Sequence, residues 1–207
     1  MRILQMSDLH GSDTALEQSR WALREFGPDL FLVTGDITNF GPLDYVHRLF
    51  SDIAVPSYAL PGNCDPREIV PLLEELGVNL HGKRTEFRGH PLIGLGGSSP
   101  TPFHTLFELS EEEIRATLEP LMVEGSILAT HAPPYGHVDD SAGRHLGSRS
   151  IRTLVDRYPP RVVLCGHIHE ARGVETGPTT YVNPGPARSG HAALVDLEEE
   201  VRVRLLP

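Results

Sequence analysis

The chain has 207 residues, 39% of them hydrophobic and 22% charged, a length and balance that suit one globular domain spanning residues 1–207. A formal net charge of −10 argues against the broad basic face that a long polynucleotide requires. Two cysteines, Cys64 and Cys165, make no disulfide framework and fit a reducing compartment.

Met1-Arg2-Ile3-Leu4-Gln5-Met6 reads as a buried strand and runs directly into Ser7-Asp8-Leu9-His10, which leaves no apolar stretch of signal-peptide kind. No run of 18 apolar residues occurs, so no membrane span is expected and the chain is expected in the cytoplasm. A helix follows, with Ala15, Leu16, Ser19, Ala22, Leu23 and Phe26 on one face, Ser12 or Asp13 as its cap and Gly27-Pro28 as its end. Short apolar runs at 29–34, 57–60, 92–96, 126–130 and 161–165 read as further buried strands. Residues 94–102 form the most loop-like stretch. Ser110 and Glu113 have the spacing of a capping box, opening a helix that Pro120 must kink or stop. Ile151, Leu154, Val155 and Tyr158 make the apolar face of another helix, with Ser148 or Ser150 as its cap and Pro159-Pro160 closing it. Strands are expected again at 180–183, 192–196 and 201–206. This alternation predicts an α/β layered domain with extra strands at its C-terminal end, and ligands in such folds gather beyond the strand C-termini.

Potential metal ligands stand at that place five times: Asp8-x-His10, Gly35-Asp36, Gly62-Asn63, His131 and Gly166-His167-x-His169. Residues two apart in an extended segment face the same way, so Asp8 with His10, and His167 with His169, are each predicted to face one site. Any block alone is ambiguous, since Gly-Asp and Gly-Asn are common turns and a single His-x-His is common too. Five blocks at five strand ends point to one metal centre.

This ordered set resembles the calcineurin-like metallophosphoesterase superfamily, and the stretches from Thr130 to Tyr135 and at Gly166-His167 resemble its Icc-like phosphohydrolase branch. The resemblance implies a two-sheet β-sandwich flanked by helices, with a dinuclear site at one end. It implies that Asp8, His10, Asp36 and His169 hold one ion and Asp36, Asn63, His131 and His167 the other, with Asp36 bridging. Mixed imidazole, carboxylate and amide ligands suit Mn²⁺, Fe, Zn²⁺ or Ni²⁺ better than Ca²⁺, and Mn²⁺ is the first expectation. The implied activity is that of a phosphoesterase, a phosphodiesterase in preference to a monoesterase. A metal-bridging hydroxide would attack the phosphorus of a small phosphorylated substrate in line, with Asp36, Asn63 and His131 at the catalytic centre.

One departure concerns the proton for the leaving group. Many members carry a histidine directly after the asparagine, whereas here the run is Gly62-Asn63-Cys64-Asp65. Cys64 reads as structural, because a buried thiol is inert. His137 and His145, in the loop after His131, are the candidates for a proton donor or substrate contact, and Arg144, Ser148 and Arg149 are candidates for phosphate contact. Asn183-Pro184-Gly185 reads as a turn of a kind that recurs near the substrate mouth in this superfamily. Two alternatives stand beside the enzyme. A non-catalytic interaction module on the same fold is disfavoured by the filled ligand positions. A nuclease for short oligonucleotides is disfavoured by the acidic balance and the single tryptophan, Trp21. A metallo-β-lactamase cluster, His-x-His-x-Asp-His, is absent. No feature fixes an oligomeric state.

Overall fold

A computed structural model describes residues 1–207 and shows two sheets stacked face to face, with helices on both outer faces. The first half of the chain builds β1 (Arg2–Met6), α1 (Asp13–Phe26), β2 (Leu30–Thr34), α2 (Asp44–Phe50), β3 (Ser57–Leu60) and α3 (Ile69–Glu75). Next come β4 (Lys83–Phe87), β5 (His90–Leu95), α4 (Glu111–Leu118), β6 (Ile127–Thr130), the two-residue strands β7 (Asp140–Ser141) and β8 (Arg144–His145), and α5 (Arg149–Arg157). The chain ends with β9 (Val162–Leu164), β10 (Gly173–Glu175), β11 (Thr180–Asn183), β12 (Ala192–Leu197) and β13 (Val201–Leu206).

One sheet has the order β13-β12-β1-β2-β3 and the other β10-β11-β9-β6-β5-β4. Strands β1, β2 and β3 run parallel to one another, as do β5, β6, β9 and β11. Their apolar runs follow from burial on both faces. Ile3, Leu30, Leu32 and Leu60 meet Leu92, Ile127, Ala129, Val162, Leu164 and Val182 between the sheets. On the outer face of the first sheet, Leu4, Met6, Phe31 and Val33 pack against Ala15, Leu16 and Ala22 of α1, Val46 of α2 and Leu73 of α3. On the outer face of the second, Ile93, Leu128 and Val163 pack against Ile114 and Leu118 of α4 and Ile151, Leu154 and Val155 of α5. No helix is long and apolar enough to cross a membrane.

The helix ends settle the alternatives that the sequence leaves open. Ser12, and not Asp13, caps α1, its hydroxyl accepting from the Ala15 N–H, and Gly27 closes the helix in the left-handed region at φ 50°. Both halves of the Ser110/Glu113 capping box form, and after Leu118 the chain tightens into a 3₁₀ turn containing Pro120. Ser148 caps α5. Helices α2 and α3, strands β4 and β10, and the β7–β8 hairpin are additions to the sequence reading; each is seven residues or fewer.

Candidate metal centre

The parallel strands of both sheets point their C-terminal ends at one edge of the sandwich. Asp8 and His10 follow β1, Asp36 follows β2, Asn63 follows β3, His131 follows β6, and His167 and His169 follow β9. Backbone hydrogen bonds sew these loops together: Asp8 N–H donates to the Gly35 carbonyl at 3.0 Å, His10 N–H to the Asp36 carbonyl at 2.9 Å, and Gly166 N–H to the His131 carbonyl at 3.0 Å. The Gln5 amide bridges the sheets, donating to the Cys165 carbonyl at 2.9 Å and to the Thr34 hydroxyl at 3.2 Å.

Asp8 and His10 do not converge by pleat alternation, which corrects that expectation. β1 stops at Met6, and both residues lie in the left-handed region, at φ 56° and 48°. Asp36 at 48° and His167 at 69° share that conformation, and His169 opens a 3₁₀ turn. Left-handed backbone at four non-glycine residues costs energy that the surrounding structure has to supply, and such residues concentrate at functional sites. Tight turns, and not extended segments, aim these side chains inward.

The side chains form three overlapping groups in which potential ligand atoms lie within 4.8 Å of one another: Asp8, His10 and His169; Asp8, Asp36 and His131; and His10, Asp36 and Cys64. Asp8 is common to the first two groups and Asp36 to the last two, which links all three into one cluster. His131 and His167 stand with ring centroids 5.0 Å apart, and His10 and His169 with theirs 5.5 Å apart. The His131 Nδ1 lies 2.9 Å from the Thr34 carbonyl oxygen, which only accepts, so in the neutral ring Nδ1 carries the proton and Nε2 presents its lone pair. That lone pair faces the Asn63 Oδ1 at 2.9 Å and the Asp36 Oδ1 at 3.5 Å. The Asn63 orientation is fixed from behind, its amide donating to the Thr105 hydroxyl at 3.1 Å while that hydroxyl donates to Glu108 at 2.7 Å. Both ring nitrogens of His10 are buried without a hydrogen-bond partner. Carboxylate, amide and imidazole donor atoms thus converge on one place, an arrangement that fits divalent cations.

Electrostatics agree with that fit. Burial pushes His10 down to about 4 and His167 to about 3, so both rings are neutral, as ligands must be. Burial works to raise Asp8, but the hydrogen bond from His169 and the charges of the neighbouring histidines hold it well below the usual carboxylate range. Burial raises Asp36, with His131 opposing and the Asp8 charge reinforcing. Two buried carboxylates facing each other repel unless a cation lies between them.

The sequence reading missed the supports behind these residues. Asp65 is fully buried and accepts from the N–H groups of Ile37 at 3.0 Å, Thr38 at 2.7 Å and Gly62 at 2.8 Å, and from the Thr38 hydroxyl at 2.8 Å. It thereby ties the Asp36 loop to the Asn63 loop. Its sequence signal was the Asp three residues after Gly62, an acceptor placed to close a turn on that glycine's N–H. The fully buried Asn183 donates to the Ile168 carbonyl at 2.9 Å and holds the loop of His167 and His169, a role beyond the simple turn. A Cβ at Gly62 would overlap the Asp36 carboxylate, and one at Gly166 would overlap Ser7, so these approaches exclude any side chain.

His137 and His145 stand apart from the cluster, and no hydrogen bond or ion pair joins either ring to the seven residues. His137 Nδ1 pairs with Glu175 at 2.6 Å, Nε2 meets Arg152 at 2.9 Å, and the ring stacks on Tyr181 with centroids 3.8 Å apart. His145 pairs with the buried Asp139 at 2.7 Å and packs on Tyr135. Arg149 lies over the same Tyr135 ring, Arg144 is on the exposed β7–β8 hairpin, and Ser148 is occupied as a helix cap. Cys64 is half-buried beside the cluster, its N–H donating to Asp36 at 2.8 Å, and burial, with the nearby carboxylates, pushes its thiol pKa up.

Known proteins carry the same fold. An uncharacterized protein of Methanocaldococcus jannaschii is 36% identical over 200 residues, covering 90% of this chain and 88% of that protein. The solved structure of TT1561 from Thermus thermophilus matches with a TM-score of 0.76 at 22% identity, over 98% of this chain and 97% of that one. The solved structure of an archaeal phosphodiesterase matches with a TM-score of 0.61 at 15% identity over the whole of both chains. Residues 1–171 match the calcineurin-like phosphoesterase family, and with the cluster assembled on this two-sheet frame, the chain belongs to that family.

Proposed function

We propose that the chain is a metal-dependent phosphoesterase, favouring phosphodiesters, that works with two divalent ions. Asp8, His10, Asp36 and His169 would hold one ion, and Asp36, Asn63, His131 and His167 the other. The observation that carries this reading is the convergence of donor atoms without other partners: the buried ring of His10, neither of whose nitrogens is hydrogen-bonded, and His131 Nε2 facing two oxygens. Bound there, divalent ions supply Lewis-acid stabilisation of phosphoryl oxygens and activate water. The nitrogen and oxygen set suits Mn²⁺, Fe, Zn²⁺ and Ni²⁺ without choosing among them, and Mn²⁺ is the ion proposed first.

The protein's own residues position and orient. Asp36 sits between the two ligand groups, steadied by the Cys64 N–H at 2.8 Å. His131 is turned by Thr34, and Asn63 by Thr105. Phe40 N–H donates to the Cys64 carbonyl and Phe107 N–H to the Asn63 carbonyl, so two loops frame this part of the site. They expose Phe40, Phe103 and Leu106, apolar side chains suited to the organic group of a diester. No histidine stands at position 64, and His137 and His145 are engaged elsewhere. Leaving groups that need no protonation should therefore react fastest.

The test is turnover of an activated aryl phosphodiester, the matching monoester and an alkyl diester. The chain is first stripped of metal, then supplied with Mn²⁺, Ni²⁺, Zn²⁺ or Mg²⁺ in turn. The expected result is metal-restored hydrolysis, fastest on the aryl diester and lost in Asp36→Asn. Absence of turnover with two ions bound would remove the catalytic reading.

A further inference from the structure

Cys64 occupies a position that the proposed reaction leaves without a task, and its surroundings are those of a ligand. Its Sγ, a ring nitrogen of His10 and a carboxylate oxygen of Asp36 all lie within 4.8 Å of one another. Around one ion with bond lengths of about 2.0–2.3 Å, ligand atoms stand about 3.5 Å apart at a tetrahedral angle and up to about 4.4 Å apart when opposite. The trio's separations, none above 4.8 Å, lie close to that geometry.

Two further observations point at the sulfur. The His10 side chain is 9% exposed, and neither ring nitrogen has a partner, so a donor atom of the trio is already aimed and unused. The Asn63 amide, besides its bond to Thr105, lies 3.6 Å from Sγ as a donor, which places the sulfur beside a second residue of the cluster. The Cys64 backbone is pinned in place by its N–H bond to Asp36 and by its carbonyl, which accepts from Phe40 at 3.1 Å. Cys165 offers no such site: it is fully buried, with its thiol 3.5 Å from the Val182 carbonyl.

We infer that Cys64 is itself a metal ligand, its sulfur completing with His10 and Asp36 a mixed N, O, S site for a borderline-soft divalent ion such as Zn²⁺, Co²⁺ or Fe²⁺. The inference rests on the two-ion reading above and sharpens it, since a sulfur ligand turns the preference away from Mn²⁺ and Mg²⁺. On binding, the S–H bond breaks, the proton passes to solvent, and a sulfur–metal bond forms with no change in oxidation state. The sulfur is then spent on coordination and is no proton donor to a leaving group.

The test loads the full-length chain with Co²⁺ and reads its near-ultraviolet absorption, where a sulfur-to-cobalt charge-transfer band reports a thiolate ligand. The band is expected in the unaltered protein and in Cys165→Ser, and is expected to vanish in Cys64→Ser and Cys64→Ala while Co²⁺ remains bound. The ratio of Zn²⁺ to Mn²⁺ affinity is expected to fall at least about tenfold in Cys64→Ser. Bound Co²⁺ without the band, or a band that survives in Cys64→Ser, would overturn the ligand assignment and leave the two-ion reading standing. Failure to take up any Co²⁺ would overturn both.

Discussion

Asp65 makes no hydrogen bond or ion pair with the side chains of the seven clustered residues, yet the loops of Asp36 and Asn63 both close on its carboxylate. Burial, reinforced by the Asp36 charge, raises its pKa to about 6, against which the N–H donors of Gly62, Thr38 and Ile37 work. Asp65→Asn would turn an NH₂ group toward those donors and leave at least one unsatisfied. Metal affinity is expected to drop about 10–100-fold, the range typical when the support behind a ligand is lost. Isothermal titration with Zn²⁺ checks this, and unchanged affinity would show that the loops hold without Asp65. The residues that gather at this edge were legible in the sequence as a set, because five blocks in order at strand ends constrain one another. Asp65 was not, because a single Asp in a turn reads the same whether it is exposed or fully buried. Nor was the left-handed backbone of Asp8, His10, Asp36 and His167, since φ at an Asp or His is decided by the packing around it.

Among the elements, α1 and α5 were readable by their apolar faces, the central strands by their buried runs, and α4 by its capping box. Helices α2 and α3 have seven residues each, fewer than a helical period needs to declare itself, and β4 alternates half-buried and exposed side chains at a sheet edge. The pairing of α4 with α5 also escapes the sequence. Glu111 opens α4 and accepts from the Ser148 hydroxyl at 2.8 Å and from the N–H groups of Ser150 at 2.7 Å and Arg149 at 3.1 Å, so one carboxylate serves the start of both helices. Glu111→Gln is expected to cost about 1–2 kcal/mol in urea unfolding, and a cost near zero would show the two helices to be held by their apolar faces alone. His81, between α3 and β4, accepts the Gly96 N–H on Nδ1 at 2.9 Å, and burial, with Arg67 nearby, lowers its pKa to about 4 from an ordinary 6.5. Between those values the unfolded chain binds a proton that the folded chain does not. Its contribution to stability is therefore complete above pH 6.5 and lost as pH falls toward 4. In metal-free protein, the fall in melting temperature from pH 7 to pH 5 should be smaller in His81→Gln than in the unaltered chain. Equal falls would mean that His81 titrates normally in the fold.

For the molecule as a whole, the sorting of strands into two sheets reached the sequence reading through resemblance and not through periodicity. Apolar runs mark strands but not their neighbours, and β1 pairs with β12 across nearly the whole chain, Arg2 opposite Asp196. An apolar layer stacks the two sheets, and loops from both meet at one edge, where a chain of net charge −10 gathers the buried carboxylates of Asp8 and Asp36. Divalent ions there would reverse the local sign, which is how an acidic protein can draw in a phosphate ester. Everything proposed for this edge depends on two ions bound together through Asp36. The most direct measurement is the number of Mn²⁺ or Zn²⁺ ions retained per chain after equilibrium dialysis, in the unaltered protein and in Asp36→Asn. Two ions are expected in the first, and fewer than two, at weaker affinity, in the second. A single ion in the unaltered protein, or two held undiminished without the Asp36 carboxylate, would contradict the shared centre.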